Sequence, residues 1–164
     1  MAVCTEIIAR HKPEEIYFLF SSQGGSVHAG IALYNFLRAL PTRIVMHNIA
    51  QVDSIATALF LAGEKRYAAP QSKFLFHGIK LMFEGRTVLQ TKDIKEHLSN
   101  LDGLHNLIAE IITDRTKIKR DEILRLFDQG EAKDLSFAVE KGVVHEIQIP
   151  QVPKDAPLIS LNIE

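Results

Sequence analysis

The sequence holds one cysteine, almost no net charge and no apolar run long enough to cross a membrane, and each shortage excludes something. Cys4 alone cannot close an intramolecular disulfide, so packing must hold the core, and a reducing compartment, the cytoplasm, is expected. Nineteen basic residues against 20 acidic ones leave a formal charge of -1, which offers no overall field for nucleic acid or an anionic membrane. The first residues lack the basic-then-apolar profile of a signal peptide. No H-E-x-x-H pattern and no Cys/His cluster suggests a metal. The one glycine-rich turn has neither the Gly-Lys-Ser/Thr ending of a phosphate loop nor the G-x-G-x-x-G spacing, so no cofactor is expected. Internal repeats and low-complexity segments are absent too.

What is present suffices for one domain, since 46% of the 164 residues are hydrophobic. Glu6–Arg10 reads as a short helix broken before Pro13, and Ile16–Phe20 as a buried strand. Ser21–Gly30 is a glycine-rich turn feeding a helix over Ile31–Leu40, which Pro41 stops. Thr42–Ile49 reads as a second strand, Asp53–Ala62 as a helix ended by Gly63, and Lys73–Phe76 as a third strand. Strand, tight turn and helix in succession imply a parallel sheet in an α/β domain. Ile94, Leu98, Leu101, Leu104, Ile108 and Ile111 recur three or four positions apart, which predicts one long amphipathic helix from about Lys92 to Thr113. A short helix over Arg120–Phe127, a helical turn over Phe137–Lys141 and a last strand over Val143–Ile149 follow. Pro150, Pro153 and Pro157 then punctuate the chain, so the domain is expected over residues 1–150 with a tail over 151–164.

Two residues stand where chemistry could be done. Ser54 lies at a strand-to-helix junction, where the free N–H groups and positive dipole end of a helix could stabilise an oxyanion, with the amide of Ile55 as one donor. It also suits a plain helix cap. The surroundings are not G-x-S-x-G, so an α/β-hydrolase elbow is not indicated. His77 ends the next strand, and two adjacent parallel strands would bring both side chains to the carboxyl-end edge of the sheet, where the imidazole could take the hydroxyl proton. A strand-end histidine bonded to a carbonyl is the bland alternative. The Gly24-Gly25 pair exposes backbone N–H groups able to bind an anion, or simply permits a sharp turn.

Four blocks in order then resemble one family. Ile16–Gly30, Ala50–Ser54, Ala62–His77 and Ala138–Val144 are similar to the proteolytic subunit of the Clp protease, over most of the chain from about Ile16 to Ile147. The resemblance implies a crotonase-like, ClpP-type α/β fold of repeated β-β-α units with a long protruding helix. It further implies a Ser/His/Asp peptidase assembled into stacked homo-oligomeric rings. Carried over, Ser54 is the nucleophile, His77 the general base, and the amides of Gly25 and Ile55 the oxyanion hole. The family's acid falls near Gly130–Ala132; Glu131 is the nearest carboxylate, with Asp128 and Asp134 behind it. The helix of Lys92–Thr113 corresponds to the ring-stacking element, and a strand near Gly78–Gly85 to the one that holds extended substrate. Where the family has Ser-Pro-Gly-Gly, this chain has Ser22-Gln23-Gly24-Gly25, and where small residues precede the nucleophile it has Val52-Asp53. An acid beside Ser54 disfavours its alkoxide by like-charge repulsion.

The function expected is a cytoplasmic serine endopeptidase that cleaves unfolded protein or peptide substrates through an acyl-enzyme on Ser54, with no nucleic-acid or membrane partner. The resemblance also makes an ATP-dependent unfoldase a possible partner, against which stands a chain that starts almost at its first helix without the family's amino-terminal segment. A catalytically silent subunit or scaffold, or an acyl-CoA-handling enzyme of the same superfamily, are the alternatives.

Overall fold

The longest strand, β2 (Arg43–Asp53), organises the molecule because it is paired along both edges. The computed structural model describes residues 1–160 apart from Glu84 and Thr87. In it α1 (Ala2–His11) leads to β1 (Glu15–Ser22), α2 (Val27–Ala39) to β2, and α3 (Ile55–Phe60) to β3 (Lys65–Ala68) and β4 (Lys73–Leu75). Then follow α4 (Thr91–Arg115), α5 (Arg120–Gln129), β5 (Ala132–Lys133), α6 (Leu135–Glu140) and β6 (Glu146–Ile147). β1 runs parallel to β2 along one edge. Along the other edge β3 pairs with Val45–Asn48, and β4 takes over at Gln51–Asp53, both parallel. β6 adds to β3 in parallel and β5 to β4 antiparallel, which makes a mixed six-stranded sheet.

Ile44–Asn48 are buried without interruption, as a parallel strand covered on both faces requires. Asn48 serves the change of partner: its Nδ2 donates to the Lys73 carbonyl at 2.9 Å, and its Oδ1 accepts from the Ala50 amide at 3.1 Å. Those bonds give the Lys73 carbonyl and the Ala50 amide a partner where the ladder passes from β3 to β4. The core holds Phe60, Phe74, Phe76, Ile112 and Ile123, and the Phe60 and Phe74 rings meet edge-on at 5.3 Å. Burying each such side chain stabilises the fold by about 1.5–3 kcal/mol.

The departures from the sequence reading have physical causes. β3 is absent from that reading because Lys65-Arg66-Tyr67-Ala68 has no apolar alternation; it is a strand by virtue of its pairing with β2. The two-residue β5 likewise exists only through β4. The last strand is two residues rather than Val143–Ile149, since Val143 and Val144 are buried in the turn after α6 and start no ladder. No strand forms over residues 78–83 or at Gly85, and Glu84 lies outside the described residues. The first amides of that segment are taken by helices instead: Gly78 N–H donates to the Phe127 carbonyl at 3.0 Å, and Ile79 N–H to His105 Nε2 at 2.9 Å. Of the stripe expected on α4, Ile108 is buried, while Ile94 and Leu98 are exposed and do not join the core. Among the described residues no helix is long and apolar enough to cross a membrane.

Candidate active site

Ser54 sits on a corner that its neighbours enforce. Its φ of 58° and ψ of -132° lie where a residue with a side chain is strained by about 1–3 kcal/mol. Ser54 N–H donates to the Leu75 carbonyl at 2.9 Å, which continues the β2–β4 pairing up to the turn. Its own carbonyl accepts from both the amide (3.0 Å) and the hydroxyl (2.7 Å) of Thr57, which starts α3 at once. Strand on one side and helix on the other leave the corner no freedom. The glycine turn packs onto it: a Cβ at Gly24, whose φ is 95°, would stand 2.7 Å from Ser54 Cβ and 2.9 Å from the Asp53 carbonyl. Gly25, with φ of 141°, has open space beside it.

His77 lies two residues past β4, the strand whose Leu75 pairs with Asp53. Its Nδ1 is 2.7 Å from the Gly78 carbonyl, an acceptor only, so Nδ1 carries the hydrogen and Nε2 keeps its lone pair. Ser54 and His77 share one cleft of about 230 Å³ with Gln23, Gly25, Val27, Ile79 and Lys80. No hydrogen bond joins the serine hydroxyl to the imidazole among the described residues. A larger depression of about 370 Å³, lined by Tyr17, Arg43, Lys65 and Tyr67 among others, holds none of the candidate residues.

The family model of the Clp protease matches residues 3–151. The chain belongs to the Clp protease family. Its fold, a mixed α/β sheet with helices, is compatible with that of the Clp proteolytic subunit, and a Clp-type protease is what the match supports.

The segment from Asp128 to Asp134 carries the carboxylates that the resemblance offered as an acid. Gly130, which ends α5 in a left-handed conformation, lies beside His77: a Cβ there would stand 3.8 Å from His77 Cβ. Glu131 is exposed, with its carboxylate 3.3 Å from Lys133 Nζ. Asp134 caps α6, its Oδ1 accepting from the Phe137 amide at 2.9 Å, and Asp128 is exposed. None of the three bonds to His77 among the described residues. Asp53, by contrast, has a buried Oδ1 without a hydrogen-bond partner. Burial pushes its carboxyl above the ordinary range, while the charges of Lys73 and His77 draw it back. No group of three or more His, Cys, Asp or Glu able to hold a metal occurs among the described residues.

His105 escaped the sequence reading. Its Nε2 accepts the amide of Ile79 and its ring lies 5.4 Å from that of Phe127, so α4 and α5 together hold the backbone that follows His77. The contact spans 26 positions, and no local pattern announces it.

Proposed function

We propose that the chain is a serine endopeptidase of the Clp proteolytic type, with Ser54 as nucleophile, His77 as general base and the amides of Gly25 and Ile55 as oxyanion hole. The observation that carries the reading is the strained Ser54 corner, packed under the glycine turn and opening into the same cleft as His77. His77 Nε2, its tautomer set by the Gly78 carbonyl, takes the hydroxyl proton as Ser54 Oγ attacks the scissile carbonyl. The Gly25 and Ile55 N–H groups receive the developing oxyanion, and the imidazolium then gives its proton to the leaving amine. Water repeats the sequence to release the acyl group. Unfolded protein or peptide would lie extended past Gly78–Gly85, within homo-oligomeric rings of crotonase-like subunits in the cytoplasm. By resemblance the third member would come from Gly130–Ala132, where Glu131 is the sole carboxylate.

A fluorophosphonate probe tests this directly. It should label the wild type but neither Ser54→Ala nor His77→Ala, with both variants still folded; labelling that survives Ser54→Ala sinks the assignment. A second reading, a catalytically silent subunit, is favoured by one observation: no carboxylate bonds to His77 among the described residues. It requires a folded, assembled wild type that takes no probe.

A further inference from the structure

We propose that Asp53 is the acid that supports His77 in this chain, a positioning residue supplied from the end of β2 in place of a carboxylate from the segment between α5 and β5. The inference rests on the peptidase reading above. Between α5 and β5, Gly130 lies beside His77 and has no side chain to offer, and the carboxylate of Glu131 is exposed beside Lys133. The β2–β4 pairing sets Asp53 opposite Leu75, two residues before His77 and next to Ser54. Asp53 Oδ1 is the one buried side-chain nitrogen or oxygen without a partner among the described residues. An acceptor held so works against folding, which is how groups kept for chemistry behave. The carboxylate also feels the charges of His77 and Lys73, so the two titrating groups are within electrostatic reach of each other.

The usual triad acid does two things, and here they are divided. The Gly78 carbonyl accepts Nδ1–H and fixes the tautomer. Asp53 supplies the negative charge that stabilises the imidazolium once Ser54 Oγ–H has passed its proton to Nε2; no proton moves to Asp53. That gain opposes the repulsion between Asp53 and the oxyanion, so the sign of the net effect is measurable. The other charged groups at the site are Lys73 and Lys80, and His105 holds the Ile79 amide.

The test compares wild type, Asp53→Asn, Asp53→Glu and Glu131→Gln by peptidase kinetics against pH. It also follows the His77 ring by NMR in a Ser54→Ala background, where no turnover is needed. Asp53→Asn is expected to lower kcat by about 10- to 100-fold with KM nearly unchanged, and to move the acid limb of kcat/KM toward lower pH. Asp53→Glu should recover part of the loss, which a purely structural role would not predict, and the His77 ring titration should move the same way as the acid limb. A rate that rises in Asp53→Asn, an unmoved acid limb and ring titration, or a loss confined to Glu131→Gln overturns the proposal. A ring titration that moves in a chain that takes no probe upholds the coupling and removes only the peptidase reading.

Discussion

Gly24 shows at the scale of one residue how closely the site is fitted. Its positive φ, and the 2.7 Å that would separate an added Cβ from Ser54 Cβ, leave no room for a side chain. The obstacle is backbone and a short side chain rather than the end of a flexible one, so the turn or the Ser54 corner must move. Gly24→Ala should therefore cost about 2 kcal/mol or more in stability and slow probe labelling of Ser54 by at least about tenfold, read by thermal melts and labelling rates. Gly30 makes a similar approach, since a Cβ there would overlap Ile55 Cγ1 where α2 crosses α3. Ser54 itself carries backbone strain that only a fixed strand and helix can sustain.

Among elements, buried polar side chains rather than helix caps hold the joints. Arg66 on β3 is buried with no acid beside it, and donates to the carbonyls of Val143, Gly63, Arg115 and Gly142 at 2.8–3.1 Å. Its burial, with Arg115 nearby, lowers it to about 10. Those carbonyls lie at or just past the ends of α3, α4 and α6, so one guanidinium ties three helix C-termini to the sheet. His47 on β2 makes a second joint, between β1 and the chain just past β6: Tyr17 Oη donates to Nδ1 at 2.6 Å, and Nε2 donates to the Gln148 carbonyl at 3.0 Å. Burial holds His47 below its ordinary 6.5, and burial with nearby Arg66 holds His145 below it also. A lowered imidazole favours the fold above its unfolded value, and that contribution is lost as pH falls through the folded one. The thermal midpoint should thus decline below about pH 6.5, and His47→Gln should flatten that decline at some loss of stability at pH 8. Melts from pH 5 to 8 would show a wild type and variant of equal slope if His47 were not responsible.

For the whole molecule, the notable feature is apolar surface left over. Ile94, Leu98 and Leu107 on α4 are 47%, 55% and 48% exposed, and Leu81, Met82, Phe83, Val88 and Leu89 are exposed in the segment before it. An amphipathic helix with apolar side chains uncovered from Ile94 to Leu107 is the kind of surface that stacked rings would bury. Light scattering is expected to give a particle many times the 18.4 kDa of one chain, and Leu98→Glu to shift it toward smaller species. A monodisperse monomer at high concentration contradicts ring assembly.

Much of this is legible in order along the chain, and the rest depends on contacts across it. Apolar runs, glycine turns and helix periodicity mark β1, β2, α2 and α4, because burial and backbone freedom act within a few residues. Ser54 and His77 can be singled out for the same reason: each stands at the end of a segment whose period is visible. β3 and β5 cannot, since they are strands only through partners far along the chain. Nor can the neighbours of His77, because whether Gly130, Glu131 or Asp53 lies close to the imidazole depends on how two strands register and which way a loop turns. Local pattern is thus enough to specify most of the elements and the ends of β2 and β4 beside which Ser54 and His77 stand. Strand order, the joints made by Arg66 and His47, and the burial of Asp53 Oδ1 while Glu131 stays exposed come from the folded chain alone. Propensity and periodicity are local, whereas electrostatic partnership requires that side chains from distant segments share the same few ångströms.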